Sequence, residues 1–317
     1  MSGGRRRALA VPLLLAGAVG AASTRLAIVD GDVFWHLATA RLALERGLVR
    51  VDAFSWTVPG AAVPVDQWLG QMLWYAAYAA GDWRGVIGLR ALAIAALVAL
   101  TAWAALARRP ERPVVAVIAA APTVFLSRFV WNERPELFGF VCFAACVALL
   151  GAWRGGDRRA PVALAALLVL WANLHGSFAL GSVLVALVAA DRALRRSWRR
   201  IDAVALVGVA ASFVATPAAL LTTRAPALHL LAPPRFIQEW TLPDVATLPG
   251  ATWAALLCLV LLVALLAPPV SRHDAVVILP VAFLSLVAIR HAPLLAIAAA
   301  PYLAARLPEA ADAVRER

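Results

Sequence analysis

The chain alternates between long apolar runs and short polar connections. Crossing a membrane takes about 20 mostly apolar residues in a helix. Ten runs come near that length, and they predict membrane-spanning helices at 8–28, 86–107, 114–131, 137–153, 160–176, 178–191, 202–222, 251–268, 275–290 and 292–306. The sixth and tenth runs are short, and Pro301 interrupts the tenth. The predicted fold is an all-α polytopic membrane protein, with residues 1–317 forming a single membrane domain.

Composition supports lipid as the surroundings of these runs. Hydrophobic residues make up 63% of the chain and the mean hydropathy is +0.83, whereas soluble domains use roughly 45–50% apolar residues. The net charge of +11 comes from arginine, because the chain contains no lysine. The arginines form short clusters between apolar runs, which is typical of membrane orientation signals and argues against a nucleic-acid partner.

The arginine clusters also predict the orientation. If Arg5, Arg6 and Arg7 hold the N-terminus in the cytoplasm, alternation of the helices places eighteen of the 29 arginines on the cytoplasmic side, as expected from the positive-inside rule. Two outer connections are long, at 29–85 and 223–250, and long irregular segments are commonly functional. The sequence therefore predicts a multi-pass plasma-membrane protein whose active face is the outer one.

The first outer segment has a structure of its own. Residues 33–46 mix polar and apolar positions like a helix in the membrane interface, and Gly47 is a natural end for it. Residues 51–60 are typical of an extended piece and a turn. Asp66 is placed to cap a second helix over 67–81. The aromatic residues of that helix suit the headgroup layer: Trp68, Trp74, Tyr75 and Tyr78.

Polar residues from separate parts of the chain gather on the predicted outer side. Ionisable groups are costly at membrane depth, so by default they indicate a functional site. We expect Asp30 and Asp32 to be catalytic. The expected substrate-binding residues are His36, Asp66, Glu133, Arg134, Asn173, His175, Glu239, Arg290 and His291.

Asp30 and Asp32 carry most of this hypothesis. Two carboxylates flanking Gly31 can hold a divalent cation such as Mg²⁺ or Mn²⁺ through oxygen, or one of them can act as a general base. The alternative is that Asp32 only caps the helix that follows. His36 lies one turn beyond Asp32 and can share its face of that helix.

The charged turn 132–136 and residues 171–177 supply the other candidates. Arg134 suits phosphate oxygens because its guanidinium is a planar fork, although the turn could equally be a local ion-pair staple. His175 can hydrogen-bond a phosphate or orient a carboxylate, whereas Asn173 serves either the site or helix packing.

Four further arginines lie near the outer boundary. Arg290 and Arg235 are weaker candidates for holding a phosphate, while Arg25 and Arg90 lie slightly inside the boundary and are expected to snorkel to the surface.

Four segments resemble a known group of proteins. The segments DGDVFWHLATARLALERG, VDAFSWT, ERPELFGF and WANLHGSFALG are similar to a branch of bacterial membrane proteins near the type C glycosyltransferase (GT-C) superfamily. The order of one span, an Asp-containing outer loop and then a helical bundle also resembles that superfamily.

The resemblance implies transfer of a sugar from a polyprenyl-phosphate carrier to an acceptor at the outer face, with Asp30 or Asp32 in the position of the catalytic aspartate. Two features depart from the family pattern: many members have Asp-Glu here, and many carry a soluble C-terminal domain. Two alternatives stay open at this point. They are a lipid or saccharide transporter and a non-catalytic partner in the assembly of envelope polysaccharides.

Overall fold

The fold is helical throughout the part of the chain that a computed structural model describes, which is residues 3–63, 65–217, 219, 234 and 236–316. Within these residues the β-structure is limited to a single bridge between Val51 and Ala62. The prediction of an all-α protein is therefore confirmed for the described residues.

Eleven α-helices account for most of the described residues, and we number them in chain order. They are α1 (Gly3–Ser23), α2 (Asp32–Arg46), α3 (Trp68–Leu106), α4 (Pro113–Ser127), α5 (Glu136–Arg154), α6 (Ala160–Leu174), α7 (Phe178–Leu194), α8 (Ala203–Val214), α9 (Leu248–Leu266), α10 (Arg272–Val287) and α11 (Ala292–Arg315). Short 3₁₀ turns lie at Arg128–Val130, Arg200–Asp202, Gln238–Trp240 and Ile289–His291.

Five helical segments among the described residues are long and apolar enough to cross a membrane. They are Trp68–Leu106, Pro113–Val130, Glu136–Arg154, Leu248–Leu266 and Ile289–Arg315. Two further apolar helices, Ala10–Ser23 and Ala160–Leu174, are shorter. The chain thus has the helices of a multi-pass membrane protein, but the predicted number of ten spans is not confirmed.

Helix α11 corrects one detail of the prediction. It runs through Pro301 and Pro308 to Arg315 instead of breaking at Pro301. Most of its residues between Ala292 and Ala305 are buried. Small residues such as Ala299, Ala300 and Ala304 are fully enclosed. A proline in a membrane helix is tolerated when neighbouring helices support the backbone around it, and here they surround it.

Helix α3 joins two predicted helices into one bent element. The backbone leaves helical geometry at Gly81 and Asp82, and Asp82 has a φ of 54°. Residues 68–80 and 83–106 are therefore two helices on either side of a bend, close to the predicted 67–81 and 86–107. The first begins after Gln67, which is its N-cap residue, so the predicted capping role of Asp66 is not confirmed.

One of the aromatic residues of α3 lies elsewhere than expected. Trp74 is fully buried, with its ring 5.2 Å from that of Phe138 on α5, so it packs in the core and does not face the headgroup layer. Trp68, Tyr75 and Tyr78 are half-buried.

Close helix contacts hold one end of the bundle together. A side-chain carbon added at Gly70 would come within 2.7 Å of both the Leu174 carbonyl oxygen and Pro135. The start of α3 therefore passes directly against the end of α6 and the turn before α5. Because glycine alone permits that approach, three separate chain segments meet at this end.

The second predicted outer segment, 223–250, is described only in part. Residues 220–233 and 235, including Arg235, lie outside the described residues. Its described portion contains the 3₁₀ turn Gln238–Trp240, and the backbone N–H of Ile289 donates to the Thr241 carbonyl at 3.0 Å. This contact holds the turn beside the start of α11.

Candidate functional site

Asp30 and Asp32 lie at the start of α2, at the end of the bundle where these segments meet. Gly31 is the residue preceding the helix and Asp32 is its first residue, so Asp32 is not the cap. The Asp30 carboxylate accepts a hydrogen bond from the Asp32 backbone N–H at 3.0 Å. The Asp32 side chain is 58% exposed, whereas the Asp30 side chain is only 9% exposed. Asp32 is therefore the carboxylate that an incoming molecule can reach.

Arg134 connects both aspartates to the rest of the site. Its guanidinium lies 2.6 Å from the Asp30 carboxylate, 2.9 Å from Asp32 and 3.6 Å from Glu239. These partners come from the start of α2 and from the second outer segment. The turn before α5 is therefore not a local ion-pair staple, because its arginine pairs with distant parts of the chain.

Arg290 continues the same network. It lies 2.5 Å from Glu136 and 2.8 Å from Glu239, and its guanidinium is 4.2 Å from the centre of the Trp240 ring. Cation–π contact of this kind fixes the plane of the guanidinium. We call Asp30, Asp32, Arg134, Glu239, Arg290 and Glu136 the Arg134–Arg290 network.

Glu239 occupies the centre of this network. One of its carboxylate oxygens lies against Arg290 and the other against Arg134. Burial raises the pKa of Glu239, an effect that the two arginines oppose. A single carboxylate thus bridges two guanidinium groups in a partly buried place. That is the arrangement in which a phosphate group with several oxygens could take its position.

The histidines surround this network. The Nδ1 of His175 accepts a hydrogen bond from the Ser177 backbone N–H at 3.1 Å, and the Ser177 hydroxyl lies 2.8 Å from the same atom. Neutral His175 therefore carries its proton on Nε2. It lies in the electrostatic field of Glu136 and Asp66. His291 donates from Nδ1 to the Leu284 carbonyl at 2.9 Å.

His36 is buried near the network and is neutral there. It is buried on α2, and the side-chain amide of Gln71 on α3 lies 3.3 Å from its Nδ1. Burial, with added repulsion from Arg134 and His175, lowers the pKa of His36 from 6.5 to about 3. An imidazole in this state can accept or donate a hydrogen bond but carries no charge at neutral pH.

This burial predicts that acid destabilises the protein through His36. In the unfolded chain the imidazole takes up a proton below about pH 6.5, while in the folded chain it does not, so stability is present above that pH and is lost as the pH falls. The expected contribution is a loss of about 2 kcal/mol between pH 7 and pH 5. Thermal unfolding of the purified protein in detergent at both pH values measures it.

His36→Asn is the matched variant, because the asparagine side-chain oxygen can accept from Gln71 without titrating. The pH dependence of its unfolding should be weaker than that of the wild type by about the stated amount. An identical pH dependence in the two proteins would show that His36 does not stay neutral on folding.

Two predicted binding residues lie apart from the network. Asn173 donates to the carbonyls of Val169 and Ala215 and accepts from the Trp68 indole, each at 2.9 Å. Its amide thus ties α3, α6 and the end of α8 together. Glu133 is 1% exposed and pairs with the equally buried Arg90. Burial raises the pKa of Glu133, although Arg90 opposes the shift.

Arg90 is the main residue whose role the sequence did not indicate. It does not snorkel to the surface, since its side chain is 1% exposed. Its guanidinium donates to the carbonyls of Ser23 at 2.9 Å and Leu26 at 2.6 Å. Arg90 therefore satisfies the open carbonyls at the end of α1 and fixes the chain just before Asp30. Glu136 and Trp240 are the other members of the site that the sequence did not single out.

The arrangement around Asp30 and Asp32 does not fit a divalent cation held by protein ligands. The guanidinium of Arg134 lies between the two carboxylates and supplies the positive charge that such a cation would supply. Among the described residues, no group of three or more histidine, cysteine, aspartate or glutamate side chains is placed to hold a metal ion. The Mg²⁺ or Mn²⁺ expected from the sequence stays a prediction.

Comparison with known proteins leaves the family open. The chain matches no protein-family model, no curated protein and no solved structure. The resemblance to the GT-C superfamily therefore rests on the four sequence segments and stays a prediction. The network has a defined geometry. The accessible carboxylate of Asp32 lies beside Arg134, which shares Glu239 with Arg290.

Proposed function

We propose that this chain is a membrane glycosyltransferase, which moves a sugar from a polyprenyl-phosphate carrier to an acceptor at the outer face of a bacterial plasma membrane. The proposal includes the ten-span topology with a cytoplasmic N-terminus. The observation that carries it is the bridge that Glu239 forms between Arg134 and Arg290. The Asp32 carboxylate lies 2.9 Å from the guanidinium of the same Arg134.

The two arginines would hold the phosphate of the carrier. Arginine forks bind phosphate oxygens through paired charge-assisted hydrogen bonds. Glu239 competes for the same N–H groups, and burial already disfavours its charged form. A phosphate that carries more charge and more oxygens than a carboxylate can replace it. His175, whose Nε2 carries a proton, lies beside Glu136 to donate a further hydrogen bond.

Asp32 would act as the general base. It accepts the proton of the acceptor hydroxyl while the hydroxyl oxygen forms a bond to the anomeric carbon. The bond from that carbon to the phosphate oxygen breaks, and its electron pair leaves with the polyprenyl phosphate. Arg134 and Arg290 stabilise the negative charge that develops there. Attack from the side opposite the phosphate inverts the anomeric carbon, as the resemblance implies.

The excess of carboxylates fits a sugar. Four acids, Asp30, Asp32, Glu136 and Glu239, surround two arginines in the network. Carboxylates accept hydrogen bonds from hydroxyl groups, so the acids not used for chemistry can orient the sugar.

The outer segment supports a lipid-borne donor. Phe34, Trp35 and Trp56 expose large apolar surfaces on or after α2, which suits a position in the membrane interface. A polyprenyl chain would then approach the network from the side, within the outer leaflet, while its phosphate stays at headgroup level.

The direct test is binding of the carrier itself. Purified protein in lipid nanodiscs should bind a polyprenyl phosphate at least 10-fold more tightly than the polyprenol that lacks the phosphate. Arg290→Gln should reduce the affinity for the phosphate at least 10-fold, since a partly buried arginine–phosphate contact is worth about 1.4 kcal/mol or more. Arg128→Gln, an exposed arginine at the same end of the bundle, should have no effect.

Glu239→Gln tests the same phosphate site by removing the proposed competitor of the phosphate. If Glu239 competes with the phosphate, this variant should bind polyprenyl phosphate several-fold more tightly than the wild type. Equal affinity for phosphate and polyprenol, or a loss of binding in the Glu239 variant, would contradict the assignment of the arginines as the phosphate site.

A further inference from the structure

A cavity lies at the far end of the bundle from the Arg134–Arg290 network. It has a volume of about 230 Å³ and lies between the ends of α3 and α5, the start of α10 and the middle of α11. The length of helix α5 gives the distance between the cavity and the network. Its first residue, Glu136, belongs to the network and its last residue, Arg154, reaches Asp274 at the cavity. Nineteen residues of helix span about 28 Å, which is close to the thickness of the hydrocarbon core.

Most of the residues that line the cavity are small or apolar, and the exceptions are Arg108, His273 and Asp274. Ala104, Ala107, Ala148 and Gly151 face it from α3 and α5, and Val277 faces it from α10. Trp103 lines its edge and is 47% exposed. Such a surface suits an acyl chain better than a small polar ion.

The mouth of the cavity carries more positive than negative charge. Arg108 reaches the two oxygens of the buried Asp274 at 2.8 and 3.3 Å, and Arg154 lies 3.4 Å from the same carboxylate. Asp274 therefore balances only one of two guanidinium groups. Nearby, Glu309 is likewise shared by Arg109 and Arg306, and Arg306 lies within the electrostatic range of Arg154.

We propose that this cavity binds an anionic phospholipid of the leaflet opposite the Arg134–Arg290 network. Its phosphate would lie against Arg154 and Arg108, and the first part of one acyl chain would lie along the small residues of α3 and α5. Basic pockets between membrane helices bind anionic lipid headgroups in this way. The combination of an apolar wall with an excess of guanidinium charge selects a lipid phosphate over a free one. This inference does not depend on sugar transfer.

The test compares lipids that differ in charge. Purified protein in phosphatidylcholine nanodiscs should gain thermal stability when phosphatidylglycerol is added, and native mass spectrometry should detect retained phosphatidylglycerol. Arg154→Gln should weaken this retention several-fold. Arg154 is partly exposed and Asp274 already has Arg108 as a partner, so the Arg154 guanidinium is the one placed to bind the lipid phosphate. Arg158→Gln, exposed on the same connection, is the matched control.

Filling the cavity separates shape from charge. A side-chain carbon at Gly151 would meet no atom within 4 Å, so Gly151→Leu should enter the cavity and abolish retention without changing the charges. Gly17→Leu, at an equally open position on α1, should leave retention unchanged. If Gly151→Leu does not fold, the Arg154 pair still decides.

Three results would overturn the proposal. They are equal retention of phosphatidylglycerol and phosphatidylcholine, equal stabilisation by free glycerol phosphate, and equal retention by the Arg154→Gln and Arg158→Gln variants. The second would indicate a site for a small anion, and the others would indicate that the cavity does not recognise a charged lipid.

Discussion

Replacing Asp32 by Asn is expected to lower the rate of the proposed sugar transfer by about 10²- to 10⁴-fold, the range typical of a lost general base. The amide keeps the size of the side chain and can still face Arg134, so the network should stay assembled. The variant cannot take the proton of an acceptor hydroxyl, however. The measurement is the amount of lipid-linked saccharide that accumulates in cells lacking the wild-type gene, with each variant supplied in turn.

The control is Glu45→Gln on the same helix. Glu45 is an exposed carboxylate that pairs with Arg41 one turn before it, and its loss should leave transfer unchanged. Asp30→Asn should have a smaller effect than Asp32→Asn, since the amide oxygen can still accept from the Asp32 backbone N–H. Full transfer by Asp32→Asn at normal expression would contradict the catalytic assignment and favour a non-catalytic partner.

Replacing Glu133 by Ala is expected to destabilise the protein by about 3–5 kcal/mol, because it leaves the buried guanidinium of Arg90 without a counter-charge. Both side chains are 1% exposed, so water cannot compensate. The measurement is the free energy of unfolding in mixed micelles, compared with the wild type. Glu111→Ala removes an exposed acid and should change stability by less than about 0.5 kcal/mol.

A double variant, Arg90→Met with Glu133→Leu, makes the test sharper. It removes both charges and should be more stable than Glu133→Ala alone, although the carbonyls of Ser23 and Leu26 lose their donor. The two sites should therefore be strongly coupled. The single variants Arg90→Met and Glu133→Leu complete the comparison. If their losses of unfolding free energy add up to that of the double variant, Arg90 and Glu133 do not interact in the folded protein.

The apolar pattern predicted the bounds of helices α5 and α2 to within one residue. Helix α5 was expected at 137–153 and runs over Glu136–Arg154, and α2 was expected at 33–46 and runs over Asp32–Arg46. The end of α2 at Gly47, with a φ of 87°, follows from glycine's tolerance of this conformation. Local sequence determines such features, so local sequence predicts them.

The span count was less predictable. Helix α6 has 15 residues and α8 has 12, which at 1.5 Å per residue is about 22 Å and about 18 Å. Both are short for a hydrocarbon core of roughly 30 Å. An apolar run shows that a segment avoids water, but it does not distinguish a crossing helix from one that is buried within the bundle.

The gathering of charge at one end was predicted, but the pairing within it was not. Arg134 and Arg290 were expected near the aspartates, yet the bridge through Glu239 joins residues more than 50 positions apart. Arg90 was misread for the same reason. A single arginine in an apolar run gives no sign of its partner, and Glu133 lies 43 positions further on.

The position of Arg90 has a consequence for genetics. It holds the carbonyls of residues 23 and 26, only a few residues before Asp30, so a change at Arg90 displaces the start of the site as well as weakening the fold. A random-mutagenesis selection for lost transfer should recover Arg90 and Glu133 alleles beside those of Asp32. Immunoblots of the membrane fraction would separate the two classes, with little protein from the former and normal amounts from the latter.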